Sequence, residues 1–594
     1  PVNAATENVL SDKQTLPDLL RESIRHFAER PLFGTKADGE WKWTSYQDFG
    51  GMVAAAARRL GEMGVKRGDR VAVIAPNCVE FAVCMYAAFE RGAAIVAMYE
   101  HQTDKDWQYI LRDSGAKVAF VDSPEIRNRI KAFAPDIAVT VWTRGDERWK
   151  PAPGHVVALP QRLTAQCEFV TASDVATVIY TSGTTGEPKG VPLTHRNICA
   201  NVNVIRRLFP LGPDDRSLSF LPWAHVFGQV LETHSIISLG ASAAICEGTD
   251  KIVANLAEVQ PTILFSVPRI YDRIYASVNK QMAEKPAVIK ALFRTGLEAA
   301  ARKAQGSDLS LGDRITLRLA DRLIFSKIRR KFGGRLRFAI SGGASLAKEV
   351  GTFIDALGIS VYEAYGLTET CCVSTNVPGD RKMGGVGKVI PGVRVTIDFT
   401  ATDDPSHGEI IVYGPSILRG YLNRPDAVSD GIGLDGGFRT GDLGRFDADG
   451  HLFITGRKKD QYKLANGKYV APAPLEDKLK LSPLITNVMV YGDNRDCNVA
   501  LIVPDRAALS SALSEQGMDI SLGRLNDDMR VRTLYATELE RHSDGFDKFE
   551  RIRSFALLDE DFTLDNGLLT PTFKVKRQAV VKRYADQIAA LYGK

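Results

Sequence analysis

A loop rich in glycine and hydroxyl residues is the part of the sequence best suited to holding phosphate. The string YTSGTTGEPKG covers residues 180–190 and begins where the apolar run VATVIY, a predicted β-strand, ends. Such a loop can turn several backbone N–H groups and hydroxyls toward one anion, and Lys189 adds a positive charge. It is not the Walker loop GxxxxGK[ST], because Pro188 precedes the lysine and Gly190 follows it. By composition alone, a flexible connection remains the alternative.

Three further polar strings could complete a nucleotide site. YGLTET follows an apolar run that starts at Ile359, and its Glu369 carboxylate suits Mg²⁺. Thr368 and Glu369 could instead cap and charge-complement the start of a helix. In RTGDLG, Asp442 is predicted to lie in a tight turn and to accept both ribose hydroxyls, although an Asp in a glycine turn is common. In SGGASL, two glycines let the backbone approach a ligand closely.

These strings resemble the motifs of the adenylate-forming enzymes, which include acyl-CoA synthetases, luciferases and nonribosomal-peptide adenylation domains. GDRVAVIAPN, YTSGTTGEPKG, SGGASL, YGLTET, RTGDLG, GRKKD and TPTFKVKR occur in that order and span nearly the whole chain. The basic segment from Lys280 to Arg337 and the TPTFKVKR ending resemble the long-chain fatty acid CoA ligase branch more than acetate, aryl or amino-acid activators.

The resemblance implies a role for each matching residue. The implied nucleotide-binding residues are Thr181, Ser182, Gly183, Thr184, Thr185, Gly186, Lys189, Gly342, Gly343, Ala344, Tyr365, Gly366, Thr368, Asp442 and Arg457. Tyr365 would stack on the adenine, Gly366 would leave room for the base, and Arg457 would hydrogen-bond the ribose. Glu369 and Thr184 would hold Mg²⁺.

Catalysis would fall to Lys574, Glu369 and His225. Lys574 would neutralise charge between the carboxylate and the α-phosphate; a solvated lysine on an edge strand is the alternative. His225 would line the carboxylate end of the acyl pocket, although a lone histidine between Trp223 and Phe227 is also typical of a core. The resemblance further places a hinge at Lys459 and a thiol channel at Lys463.

The implied reaction has two steps. ATP and a fatty acid give acyl-AMP and pyrophosphate, and coenzyme A then displaces AMP to give acyl-CoA. A fatty acyl-AMP ligase that loads a carrier protein is one alternative, and a non-catalytic nucleotide or lipid binder is another. The expected cofactors and substrates are therefore Mg²⁺, ATP, coenzyme A and a fatty acid, with no nucleic acid partner and the oligomeric state left open.

Alternation of β-branched runs with helical periodicity predicts an α/β fold. Short glycine-rich strands from about Val389 predict a small antiparallel sheet or barrel. With the resemblance, we expect a large N-terminal domain (1–456) of two stacked α/β sheet subdomains plus a small β-barrel-like subdomain. A small, mobile α+β domain (457–594) would follow. The glycines of GIGLDG, residues 431–436, spell GxGxxG but follow no predicted strand, so we interpret them as a loop.

Composition bounds the setting of the protein. The first thirty residues contain no apolar signal segment, and 71–99 is too interrupted by polar residues to cross a membrane. Eight scattered cysteines suit a reducing, cytoplasmic compartment. The chain has a net charge of +5, and the segment 280–337 alone has fifteen Lys and Arg against five Asp and Glu. There, Arg314, Arg318 and Arg322 predict a basic amphipathic helix, either an ordinary solvated face or a surface for an anionic membrane.

Overall fold

The computed structural model describes residues 14–141, 170–181, 187–304, 307–402, 404–424, 431–515, 525–563, 566–570 and 574–593. Its strands are β1 Pro31–Ala37, β2 Glu40–Ser45, β3 Arg70–Ile74, β4 Ala94–Met98, β5 Val118–Val121, β6 Ala138–Val141, β7 Val175–Thr181, β8 Lys189–Thr194, β9 Arg216–Ser219, β10 Ser242–Ile245, β11 Ile263–Ser266, β12 Phe338–Ser341, β13 Ser360–Leu367, β14 Cys371–Thr375, β15 Lys388–Val389, β16 Arg394–Asp398, β17 Gly408–Tyr413, β18 Phe438–Phe446, β19 Leu452–Arg457, β20 Tyr462–Lys463, β21 Tyr469–Val470, β22 Ile485–Tyr491, β23 Asn498–Pro504 and β24 Ile552–Leu557.

Helices cover the sheets. They are α1 Leu16–Phe27, α2 Tyr46–Glu62, α3 Val79–Glu90, α4 Asp104–Ser114, α5 Pro124–Phe133, α6 His195–Leu208, α7 His234–Leu239, α8 Ile252–Val259, α9 Pro268–Ala283, α10 Ala287–Ala304, α11 Leu311–Ala320, α12 Ser326–Lys331, α13 Lys348–Ala356, α14 Pro472–Leu479, α15 Arg506–Glu515, α16 Met529–His542, α17 Arg577–Arg583 and α18 Ala585–Tyr592. The segments Phe227–Thr233 and Asp321–Phe325 are π-helical.

Two large sheets form the N-terminal part. One has the order β6-β5-β3-β4-β7-β8 and is parallel except for the β7–β8 hairpin. The other combines β2-β1-β10-β9 with β11-β12-β13-β14-β15, because β9 and β11 lie side by side and Thr262 N donates to Arg216 O over 2.9 Å. The run 71–99 forms β3, α3 and β4, almost wholly buried, as a strand covered on both faces requires. Within the described residues, no helix is long and apolar enough to cross a membrane.

After β15 the chain forms a small antiparallel sheet, as the glycine-rich pattern predicted. Strands β16 to β19 form a four-stranded antiparallel sheet in chain order. The segment 431–437 that spells GxGxxG is a turn leading into β18 and opens no helix. Beyond it, β22-β23-β24 and the neighbouring helices enclose a separate apolar core that includes Leu475, Ile502 and Tyr535. The α/β class and the small α+β C-terminal unit are therefore confirmed.

Candidate active site

The SGGASL turn, which is predicted to lie against adenine, follows the carboxyl end of β12. Parallel pairing aligns Ser341 with Glu363 of β13, so Gly342 follows Ser341 on one side and Tyr365 lies just beyond Glu363 on the other. A Cβ at Gly342 would come 3.3 Å from the Phe227 ring and 3.4 Å from Ala364 O. Gly343 has φ +83°, a left-handed conformation that favours glycine. Ala344 is exposed beside it. Close protein neighbours thus explain Gly342, and the approach of this turn to adenine stays a prediction.

The predicted phosphate loop lies in the sequence between the paired strands β7 and β8. Thr181 pairs with Lys189 in register, while the predicted residues Ser182, Gly183, Thr184, Thr185 and Gly186 lie outside the described residues. The Lys189 ammonium sits 4.8 Å from the centre of the Tyr421 ring. The Tyr421 hydroxyl in turn donates to Glu369 Oε1 over 3.0 Å. Tyr421 therefore joins the phosphate-loop lysine to the carboxylate predicted for Mg²⁺.

Thr368 and Glu369 occupy the turn between β13 and β14, where Leu367 N donates to Thr370 Oγ1 over 3.1 Å. A strand follows this turn, so the alternative of a helix cap is wrong. Burial raises the pKa of Glu369, and the Tyr421 hydrogen bond and the Arg457 charge oppose that shift. A cation bound to this carboxylate would offset the burial, and a hard carboxylate oxygen is what Mg²⁺ prefers.

Asp442 is the centre of a buried hydrogen-bonded chain. It accepts from the Tyr365 hydroxyl at 2.8 Å through Oδ2 and from Arg457 Nε at 2.6 Å through Oδ1. The prediction of a tight turn is wrong: Asp442 lies within β18, opposite Arg457 of β19, and only Gly441 beside it has a positive φ. The nearby Asp442 raises the pKa of Arg457. Strand pairing, rather than a turn, holds this carboxylate in place.

Gly366 is required by the backbone itself. It lies in β13, paired with Cys372 of β14, and a Cβ there would come 1.8 Å from Cys371 O. The tight β13–β14 hairpin therefore explains this glycine without invoking space for a base.

Lys574 reaches the same cleft from the C-terminal part. Its backbone is hydrogen-bonded to Thr570: Thr570 N donates to Lys574 O over 2.8 Å, and Lys574 N donates to Thr570 Oγ1 over 3.1 Å. Burial lowers the pKa of its ammonium and the Arg457 charge adds to this, while Asp442, Asp460 and Glu369 oppose it. The side chain is nonetheless exposed. Lys574 is thus accessible to solvent while the charges of Arg457, Asp442, Asp460 and Glu369 act on its ammonium group.

His225 faces this lysine. Phe227 N donates to His225 Nδ1 over 3.2 Å, which leaves Nε2 to carry the ring hydrogen when the ring is neutral. Burial lowers the pKa of His225 to about 4, and the Lys574 charge contributes. The ring is therefore neutral at pH 7 and can donate one hydrogen bond. The charge of Lys574 acts on His225, and the charge of Glu369 acts on Lys574. The three predicted catalytic residues therefore influence one another electrostatically.

The chain matches the AMP-binding enzyme family over residues 20–422 and the C-terminal domain of AMP-binding enzymes over 459–594. The chain belongs to the AMP-binding enzyme family. It is 34% identical over 577 residues to long-chain-fatty-acid–CoA ligase FadD15 of Mycobacterium tuberculosis, covering 94% of this chain and 93% of that one. It is 31% identical to the peroxisomal long chain acyl-CoA synthetase 7 of Arabidopsis thaliana, covering 98% and 86%.

Two solved structures share this fold. The adenylation domain of a carboxylate reductase from Mycobacterium chelonae superposes with a TM-score of 0.79 at 22% identity, covering 100% of this chain and 93% of that one. The anthranilate CoA ligase AuaEII in complex with anthranoyl-AMP superposes with a TM-score of 0.73 at 18% identity, covering 99% and 100%.

In this AMP-binding enzyme the predicted hinge lies just after β19. Lys458 N donates to Gly441 O over 2.8 Å, and Arg457 O accepts from Asp460 N and Gln461 N, so Lys459 stands exposed inside a turn. Lys463 lies farther along, in β20, with its ammonium 5.1 Å from the centre of the Tyr469 ring.

Two contacts hold the C-terminal part over the site. Ser345 Oγ, in the SGGASL turn, donates to Asp477 Oδ2 of α14 over 2.6 Å. Lys478 Nζ of the same helix lies 3.7 Å from Glu349 Oε1. This arrangement is the one that brings Lys574 to Glu369 and His225.

Sequence reasoning missed several residues that support the site. Arg577 donates to Glu476 Oε2 over 2.5 Å and to Val490 O over 3.0 Å, which fixes the chain three residues after Lys574. Tyr421 was missed because its partners are remote in sequence. For Ser345, the neighbouring SGGASL motif was a usable signal.

A second acidic cluster is separate from the site. Asp447, Asp449 and His451 converge near the β18–β19 turn. Lys382 Nζ, however, lies 2.6 Å from Asp447 and 2.5 Å from Asp449, so an ammonium group already pairs with both carboxylates. This cluster does not compete with Glu369 as a magnesium candidate.

Proposed function

We propose that this AMP-binding enzyme is a long-chain fatty acid CoA ligase. The supporting relatives bear that name at 34% identity over nearly the full chain. The observation that carries the chemistry is the convergence of Lys574 with Glu369, Asp442 and His225 in one cleft. The substrates are then ATP, a fatty acid and coenzyme A.

The first step joins the fatty acid to AMP. A carboxylate oxygen attacks the α-phosphorus in line, a new P–O bond forms, and the bond to the pyrophosphate oxygen breaks with its electron pair leaving on pyrophosphate. Lys574 and Lys189 neutralise the negative charge that accumulates. The neutral His225 donates its Nε2–H to the acyl carboxylate and orients it.

Nucleotide recognition follows from the turns and strands around the cleft. The Tyr365 ring stacks on adenine against the turn Gly342–Ala344, and Asp442 and Arg457 hydrogen-bond the ribose. We infer that Mg²⁺ accompanies the phosphates and that Glu369 and Thr184 hold it. When bound, the ion supplies positive charge to the departing pyrophosphate.

The second step needs a different arrangement of the C-terminal domain, which we take as 457–594. The coenzyme A thiolate attacks the acyl carbonyl carbon, a C–S bond forms, and AMP leaves with the electrons of the broken C–O bond. One cleft cannot present Lys574 and a thiol channel together, so the domain turns about Lys459 and brings Lys463 toward the channel.

Location is part of the proposal. All seven cysteines among the described residues are free thiols, which suits a reducing cytoplasm. We also infer that the basic segment 280–337 brings the enzyme to an anionic membrane, where its substrate partitions.

A direct assay tests the activity and its alternatives. The protein is incubated with MgATP and acids from acetate to very long chains, with and without coenzyme A, and the products are measured by mass spectrometry. We expect acyl-AMP without coenzyme A and acyl-CoA with it, preferentially for long chains. Acyl-AMP that never passes to coenzyme A would support a carrier-loading ligase, and no product at all would support a binding protein.

A further inference from the structure

The strongest unexplained surface is a helix that turns apolar side chains outward. Four apolar residues of α11 and the following π-helical segment recur every four residues and are exposed: Leu311 (75%), Ile315 (50%), Leu319 (48%) and Leu323 (46%). In an ordinary amphipathic helix such a stripe would face the core. An ordinary solvated face does not account for these four outward apolar residues.

The opposite side of the same helix is firmly packed. Ala320 is fully buried, and a Cβ added to Gly296 of α10 would come 2.4 Å from its methyl group. Ile324 and Phe325 are also buried, and the Phe325 ring packs edge-on against Phe293 of α10. The packing fixes the helix, so the apolar stripe is held outward rather than exposed by chance orientation.

Arginines border the stripe. Arg314, Arg318 and Arg322 each precede one of its apolar residues and are exposed. Among the described residues, none forms an ion pair with these three. Other cations of the region are already engaged, since Arg302 pairs with Asp313 and Arg329 with Asp321.

We infer that this outward face, Leu311 to Leu323 with its three arginines, inserts into the interface of an anionic lipid bilayer. Leucine and isoleucine enter the boundary between headgroups and acyl chains, while arginines reach lipid phosphates. A soluble acidic protein would satisfy the arginines but would not by itself explain four exposed apolar residues. The inference rests on the proposed function for its purpose, because a bilayer holds the long-chain acid that the enzyme would consume.

Vesicle sedimentation tests the inference on the full chain. Vesicles of phosphatidylcholine alone are compared with vesicles in which phosphatidylglycerol replaces part of it. We expect wild-type protein to bind the anionic vesicles and to lose part of that binding in high salt, as screening predicts. Two variants then separate the contributions of the face: Leu319→Ser with Leu323→Ser, and Arg314→Gln with Arg318→Gln and Arg322→Gln.

The leucine variant should lower the partition constant about tenfold, from the apolar area withdrawn from lipid. The arginine variant should abolish the preference for anionic vesicles. A matched control, Leu434→Ser with Met529→Ser, removes two residues that are 96% and 72% exposed elsewhere and should bind as wild type. Size-exclusion chromatography should show the same oligomeric state for all variants.

Several results would overturn the inference. These are wild-type protein that ignores anionic vesicles, a leucine variant that binds as well as wild type, or a leucine variant that changes the oligomeric state and so marks the face as a contact between copies. Acyl-CoA formation from a water-soluble, medium-chain acid should be unchanged in every variant. If the wild-type protein has no such activity, the proposed ligase function is refuted. That result is distinct from a failure to bind anionic vesicles, which refutes the membrane inference.

Discussion

Removing the Lys574 ammonium should abolish fatty acid adenylation while sparing the thiol step. Lys574 shares the cleft with Glu369, Asp442 and His225, where the acyl carboxylate and the α-phosphate would meet. Two unit charges 4 Å apart interact by about 4 kcal/mol at an effective dielectric of about 20. Solvent reaches this open cleft and only part of a charge develops, so we expect about 3 to 4 kcal/mol, or a 10²- to 10³-fold loss of rate.

Partial reactions measure this effect. Pyrophosphate release and acyl-AMP formation report the first step for Lys574→Ala, and conversion of supplied acyl-AMP to acyl-CoA reports the second. Lys582→Ala removes an exposed lysine of α17 and serves as the matched control. Equal loss in both partial reactions, or none in the first, would refute the assignment.

The pH profile gives the same residue a second test. Protonated Lys574 is the active form, and its pKa is lowered from the ordinary value of 10.5. Adenylation should therefore decline with rising pH at a lower pH than an ordinary lysine would give. Lys574→Arg, which stays charged, should move that decline to higher pH. An unchanged alkaline limb in the arginine variant would assign the decline to another group.

Four further variants test metal binding, nucleotide binding and domain motion. Glu369→Gln should raise the Mg²⁺ concentration needed for adenylation. Asp442→Asn should weaken ATP binding by about ten- to a hundredfold, as for hydrogen bonds to a charged group. Native ATP affinity in calorimetric titration of both variants, together with native turnover, would refute the proposed site. Lys459→Pro should still make acyl-AMP but form acyl-CoA far more slowly, even from supplied acyl-AMP, because proline fixes φ. Lys459→Ala is the control, and native rates of both steps in Lys459→Pro would place the hinge elsewhere. Ser345→Ala should slow adenylation about three- to tenfold by removing the Asp477 contact. An equal effect on the thiol step would show that this contact does not favour the arrangement of the C-terminal part seen in the structure.

The sequence predicted the strands and helices better than the turns and strand pairings that connect them. The runs at Val118–Val121 and Val175–Thr181 are strands, because continuous β-branched apolar runs suit strands buried on both faces. Asp442 was misplaced in a turn because Gly441 suggested one, while the pairing that keeps it in β18 depends on Arg457, fifteen residues away. Local patterns specify local structure, and antiparallel register across a hairpin does not appear in them.

The site residues divide in the same way. Motif residues such as Glu369 and Lys574 could be predicted, since each stands in a recognisable string. Tyr421 and Arg577 could not, because their value lies in reaching Glu369 and Glu476 across the fold. The outward orientation of Leu319 was also hidden, since periodicity gives the faces of a helix but not which face its neighbours cover.

The β18–β19 hairpin joins the carboxylate that we propose to bind the ribose to the proposed hinge. Asp442 and Arg457 are cross-strand neighbours, and the Lys458 N–H anchors the next residue to Gly441. If Asp442 binds the ribose as proposed, the nucleotide would act directly on the strand that ends two residues before Lys459. Release of AMP and rotation of the C-terminal domain would then depend on the same few hydrogen bonds.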